Sequence, residues 1–140
     1  MYDSIVTADH PLRVLVYSDD RDVRAAVKTA IGRRPHPDLP SVEFVEAATE
    51  PIALQRLDEG VVDLAILDGE AAGAGGLGIA RQMKDEIFHA PPAIVLTARE
   101  QDAWLAAWSR AQAVVSHPLD PFRLADVFIE TARDLAATAR

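Results

Sequence analysis

A chain of 140 residues with 49% hydrophobic content suits one compact domain with a real core. With no cysteine, disulfides, zinc-thiolate sites and thiol catalysis are excluded. A net charge of -8 argues against general nucleic-acid binding and anionic membranes, and no apolar run nears the roughly 18 to 20 residues of a membrane helix. The opening MYDSIVTADHP lacks a basic start and an apolar stretch, so no signal peptide is expected and the reading is an acidic, cytoplasmic domain. Residues 1–10 read as a loose leader, with a single domain over 11–140.

Arg13 to Ser18, RVLVYS, is a short apolar run that ends in Asp19-Asp20 and predicts a buried strand. Val23, Ala26, Val27 and Ala30 then recur at helical spacing, with Asp19 or Asp20 as cap and Gly32 as stop. RRPHPDLP is a proline-rich loop, read as a solvated connector. Val42 to Ala47 predicts a second strand, and Thr49 caps a helix that runs from Pro51 to about Gly60. Val61 to Leu67 predicts a third strand. A glycine-rich loop leads into a helix over about Gly76 to Phe88. Ala93 to Thr97 predicts a fourth strand, Asp102 to Ala111 a helix, and Ala113 to Ser116 a fifth strand before His117-Pro118. The last helix begins at Pro121. The strands are continuous apolar runs, which means that both faces are covered, as in a parallel sheet between helical layers.

In such a sheet, sites form beyond the carboxyl ends of the strands. Those ends supply Ser18, Asp19 and Asp20, then Asp68 and Glu70, then Thr97, then Ser116 and His117. Carboxylates at a rim suit a hard divalent ion such as magnesium. An aspartate can also attack a phosphoryl group and become an acyl phosphate. The stretch Gly73-Ala-Gly75-Gly-Leu-Gly78 matches G-x-G-x-x-G literally. In a dinucleotide fold, however, the first glycine follows the first strand directly. Here four residues separate Asp68 from Gly73, and the loop follows the third strand, so it reads as a flexible turn.

The pieces VLVYSDDRDVR, DLAILDGEAAGAGGLGIARQMK, AIVLTARE and AVVSHPLDP, in this order and at this spacing, resemble the receiver domain of two-component response regulators from Leu12 to about Leu135. The resemblance implies a doubly wound α/β fold: a five-stranded parallel sheet of order 2-1-3-4-5, flanked by five helices. It implies that Asp68 is the phosphoacceptor, that Asp19 is a direct Mg2+ ligand, and that Glu70 offers the metal a backbone carbonyl. Thr97 is implied as the hydroxyl that follows the phosphoryl group, and Gly73 and Gly76 as the family's loop glycines. The partners implied are a sensor kinase or downstream protein target. Enzymatic activity is not expected beyond self-catalysed aspartyl phosphorylation and dephosphorylation.

Three positions depart from the family. Ser18 stands where a second acid is usual, which weakens Mg2+ binding unless Glu70 or Asp20 compensates. His117 replaces the lysine before proline, and a histidine has the shorter reach and, unlike lysine, is not a permanent cation. Val114 occupies the aromatic switch position. Two readings follow: a stand-alone, atypical receiver weakly phosphorylated at Asp68, or a phosphorylation-independent interaction module. Ser18, Asp68 and His117 also occur in the chain order of α/β-hydrolases, but no G-x-S-x-G elbow surrounds Ser18. His10, His36 and His89 read as surface histidines, without zinc spacing.

Trp104, Ala107, Trp108 and Ala111 form a stripe that reads as the core face of its helix. The last helix offers two apolar lines, Leu124, Val127, Phe128, Leu135 and Phe122, Ala125, Ile129, Ala132. One can cover the sheet while the other partly faces out, the mark of association. A homodimer is therefore expected through the helix over Asp102 to Ala111, the fifth strand and the last helix.

Overall fold

The structure, a computed structural model, describes residues 10–71, 75–86, 90–98 and 111–138. Its first strand is β1 (Leu12–Tyr17), an interior strand with a neighbour on each side. Successive side chains of a strand point to opposite faces, so Val14 and Val16 enter one core while Leu15 and Tyr17 enter the other. The same division runs through β3 (Leu64–Asp68) and β4 (Ala93–Thr97). Ile66, Ile94 and Leu96 join Val14, whereas Leu67 and Val95 join Leu15. Every residue of β3 and β4 is buried, as strands covered on both faces must be.

With β2 (Val42–Ala47) and β5 (Ala113–Ser116), the strands make one parallel sheet of order β2-β1-β3-β4-β5. One face is covered by α1 (Arg21–Ile31) and α4 (Pro121–Thr138), which pack against each other. The other is covered by α2 (Glu50–Asp58) and α3 (Gly75–Glu86). This is the doubly wound class expected, with four helices among the described residues. The fifth expected helix, with Trp104 and Trp108, lies outside them, as do Gly73 and His89.

Local signals set the ends. Asp20 caps α1 by accepting the Asp22 amide at 2.8 Å. Gly32 closes the same helix at φ 71°, a left-handed conformation that glycine adopts without strain, and donates to the Lys28 carbonyl. Thr49 caps α2 through the Ile52 amide. Asp120 Oδ1 accepts the Phe122 amide at 2.9 Å, which starts α4.

Three details differ from the sequence reading. The buried stripe of α1 is Val27 and Ile31, with Val23 and Ala30 partly buried, while Ala26 faces out. Small residues carry too little apolar surface to fix a helix's rotation. Strand β3 begins at Leu64 rather than Val61, because Asp63 is already tied to the start of β1: its carboxylate accepts the Arg13 amide and its own amide donates to the Arg13 carbonyl, both at 2.8 Å. Finally, the proline-rich loop is not a solvated connector. Leu39 is buried in the core, Arg34 donates to the Leu39 carbonyl at 3.0 Å, and Arg133 of α4 reaches His36 at 2.9 Å and Asp38 at 3.5 Å.

Candidate functional site

The sheet order reverses between β1 and β3, so the carboxyl ends of these neighbours open a crevice. Asp19 and Asp20 follow β1, Asp68 ends β3, and Ala98 follows β4. Together with Val23, Glu70 and His117 they line a pocket of about 320 Å³. Residues up to 98 positions apart in the chain, Asp19 and His117, thus share one rim (117 − 19).

Asp68 is 3% exposed, and a buried carboxylate must be supplied with donors. Three face it. The Ser18 hydroxyl donates to Oδ2 at 2.8 Å. The Glu70 amide donates to Oδ1 at 2.9 Å. His117 Nε2 stands 3.5 Å from Oδ1, at the outer edge of hydrogen-bonding distance. The turn beyond Asp68 is itself fixed: Gly69 donates to the Leu96 carbonyl at 2.7 Å and Ala71 to the Asp68 carbonyl at 3.2 Å. One carboxylate edge is therefore sealed against the first loop, and the other faces the pocket.

Thr97 is buried at the end of β4, one step back from Ala98, and its carbonyl accepts the His117 amide at 2.7 Å. That bond seats the β5 exit beside β4. The peptide bond between His117 and Pro118 is cis. Glu70 is exposed at the rim and touches Asp68 through its backbone. Tyr17, fully buried at the end of β1, has its phenol pushed up in pKa by burial first, and then by the carboxylates of Glu50, Asp19 and Asp68. It stays protonated at neutral pH. Val114 is partly buried in β5.

The order of contacts is Ser18–Asp68–His117, with the carboxylate in the middle. A hydrolase needs the imidazole between acid and hydroxyl, so that it can take the serine proton. The hydroxyl here donates its hydrogen bond to the aspartate, and this trio does not have the arrangement of a serine nucleophile.

The sequence reading missed a further layer. Arg24, in the second turn of α1, donates to the Ser18 carbonyl at 2.6 Å and to Glu46 Oε1 at 3.0 Å. Glu46 Oε2 accepts from Lys28 at 2.8 Å. The signal was available: Arg24 and Lys28 lie four apart, on one face of the helix, and Glu46 stands in the strand that follows.

No protein-family model matches the chain. An uncharacterized response regulatory protein of Mycobacterium tuberculosis, found in two strains, is 52% identical over 122 residues, or 87% of this chain and 92% of that protein. Among solved structures, a CheY-like response-regulator receiver domain from Methanospirillum hungatei superposes with a TM-score of 0.73 at 19% identity, covering 91% of this chain and 98% of the other. A chemotaxis response regulator of Vibrio cholerae gives 0.73 at 17% identity, covering 86% and 98%. At these identities the structures speak for the fold, and the mycobacterial relative for the family.

Proposed function

Since the chain belongs to the response regulators and has their receiver fold, we propose that Asp68 accepts a phosphoryl group in a two-component phosphorelay, weakly and without driving the usual switch. A pocket-facing carboxylate oxygen attacks the phosphorus of a donor, the bond from phosphorus to the donor's leaving group breaks, and an acyl phosphate remains on Asp68. The observation that carries this reading is the placement of Asp68: buried, hydrogen-bonded through both oxygens, and open on one edge to a pocket shared with Asp19 and His117. In it, His117 takes the place of the family's lysine as hydrogen-bond donor to the phosphoryl oxygens, and Thr97 follows that group. Water then cleaves the acyl phosphate, releasing inorganic phosphate and restoring the Asp68 carboxylate, and the proposal includes no other enzymatic activity.

Receiver domains typically hold Mg2+ at this acidic pocket. The residues here fit the ion poorly. Among the described residues, no group of three or more histidine or carboxylate side chains gathers closely enough to hold a metal. Ser18 brings a hydroxyl where an acid is usual, and its proton is committed to Asp68. Asp19, Asp68 and the Glu70 carbonyl remain as the weakened ligand set.

Incubation with a small phosphodonor, followed by intact mass, tests the proposal. One added phosphoryl group, absent in Asp68→Ala, is the expected result. The absence of any adduct across donors and divalent ions would remove the phosphorelay reading. Val114 favours a second reading, in which the domain binds partners independently of phosphorylation, because valine cannot swing as an aromatic switch does. Pull-down of the same proteins by wild type and Asp68→Ala would select it.

Response regulators act through protein partners, a kinase or a target. For this chain we also propose a cytoplasmic location, without nucleic-acid contact, and a homodimer that uses β5, α4 and the 102–111 segment. No helix among the described residues is long and apolar enough to cross a membrane. Support for the dimer comes from α4: Leu124 and Phe128 fill the core, while Phe122 is 81% exposed. Ile129, on the second apolar line, packs against the core and leaves Phe122 as the outward residue.

A further inference from the structure

The geometry points to Arg24 as a positioning residue for Asp68, acting through Ser18 and held in place by Glu46. This inference rests on the phosphoacceptor reading of Asp68 and adds a residue that never touches it.

Ser18 has three polar groups, and each is engaged by a different element. Its amide donates to the Ala47 carbonyl at the end of β2, at 3.2 Å. Its carbonyl accepts from Arg24 Nη1 at 2.6 Å. Its hydroxyl donates to Asp68 at 2.8 Å and accepts the Asp20 amide at 3.0 Å. A peptide carbonyl gripped by a guanidinium is a short, charge-assisted contact, and it sets the plane from which the Ser18 side chain leaves. If that plane turns, the hydroxyl swings off Asp68 Oδ2, and the carboxylate loses the anchor that keeps its other edge on the pocket.

Arg24 is itself over-determined. Its backbone amide donates to the Asp20 carbonyl at 3.2 Å inside α1. Its Nε donates to Glu46 at 3.0 Å, and its side chain is only 14% exposed. Lys28 meets the second Glu46 oxygen at 2.8 Å. A continuous polar chain thus runs from Lys28 through Glu46, Arg24 and Ser18 to Asp68. A hydroxyl and the arginine behind it thus hold the acceptor from the side away from the pocket.

A double-mutant cycle on the full chain decides the matter. The variants are Arg24→Ala, Ser18→Ala and the pair. Glu46→Gln serves as a milder variant that keeps Arg24 but loosens it, should Arg24→Ala fold poorly. The first readout is the initial rate of labelling by acetyl phosphate. The second is the Glu70 amide cross-peak in a 1H–15N spectrum, which reports on Asp68 Oδ1 without any labelling. Arg24→Ala should slow labelling about tenfold in the wild-type background, as a small misplacement of a reacting group does. In the Ser18→Ala background it should change the rate by less than about twofold, since its route is already cut. The Glu70 amide should move in the same direction in Arg24→Ala, Glu46→Gln and Ser18→Ala. An equal loss in both backgrounds, or an unmoved Glu70 amide beside a lowered melting temperature, would reduce Arg24 to a structural role and overturn the inference. A wild-type chain that takes no label at all would instead sink the phosphoacceptor reading, and the Glu70 amide would still decide the positioning.

Discussion

At Ser18 one hydroxyl serves two partners, and its burial leaves no water to replace either. A carboxylate at this point would face Asp68 as a like charge, which disfavours the ionised pair unless a cation sits between them. Ser18→Asp is therefore expected to melt lower than wild type in EDTA and to regain about 3 °C or more with 10 mM Mg2+, while wild type responds by less than about 1 °C. Thermal melts with and without the ion check this. Glu46 supplies a pH prediction. The Lys28 hydrogen bond, and then that of Arg24, hold its carboxyl below the usual carboxylate range. A folded value below the unfolded one contributes stability above the unfolded pKa and loses it as pH falls through the folded pKa. Melting temperatures from pH 7 down to 3 should fall less steeply in Glu46→Gln than in wild type. At this scale the sequence was half legible. The departure at Ser18 was visible, because its position after the first strand was plain. Its bond to Asp68 was not, since it joins residues 50 apart and depends on how two loops face each other.

The elements follow from signals a few residues long. Asp20, Thr49, Gly32 and the apolar runs were each sufficient to place a start, a stop or a strand. What escaped was set by partners elsewhere in the chain: the start of β3 by Arg13, the rotation of α1 by the Val27–Ile31 stripe, and the 33–41 loop by α4. Nothing in RRPHPDLP announces that Leu39 will be 5% exposed, because a lone leucine among prolines and charges has no periodicity to reveal a face. Leu39→Ala tests the docking. Removal of a buried leucine costs about 2–5 kcal/mol, whereas the same change in a solvated loop stays within about 0.5 kcal/mol. Urea denaturation distinguishes the two, and the larger loss is expected.

Among the described residues the molecule is two apolar cores separated by one sheet, with a pair of helices packed on each side. That plan was readable because the strands are short and mostly apolar and alternate in the sequence with helical patterns, which points to a parallel sheet between helical layers. Self-association was less readable, since it turns on how one helix is rotated. With Phe122 exposed and Phe128 buried, the expectation is specific: wild type sediments as a concentration-dependent dimer, and Phe122→Asp as a monomer with an unchanged melting temperature. A wild-type monomer at high concentration would dispose of the dimer. The sheet's other margin behaves differently. Among the described residues strand β2 is terminal and pairs with β1 alone, and it sets Glu43 and Glu46 along its six residues, each held by a cation of the same molecule. An extended strand from another molecule would meet negative charge and already committed arginines before it met a free ladder, so fibrous stacking along that margin is disfavoured even in crowded solution.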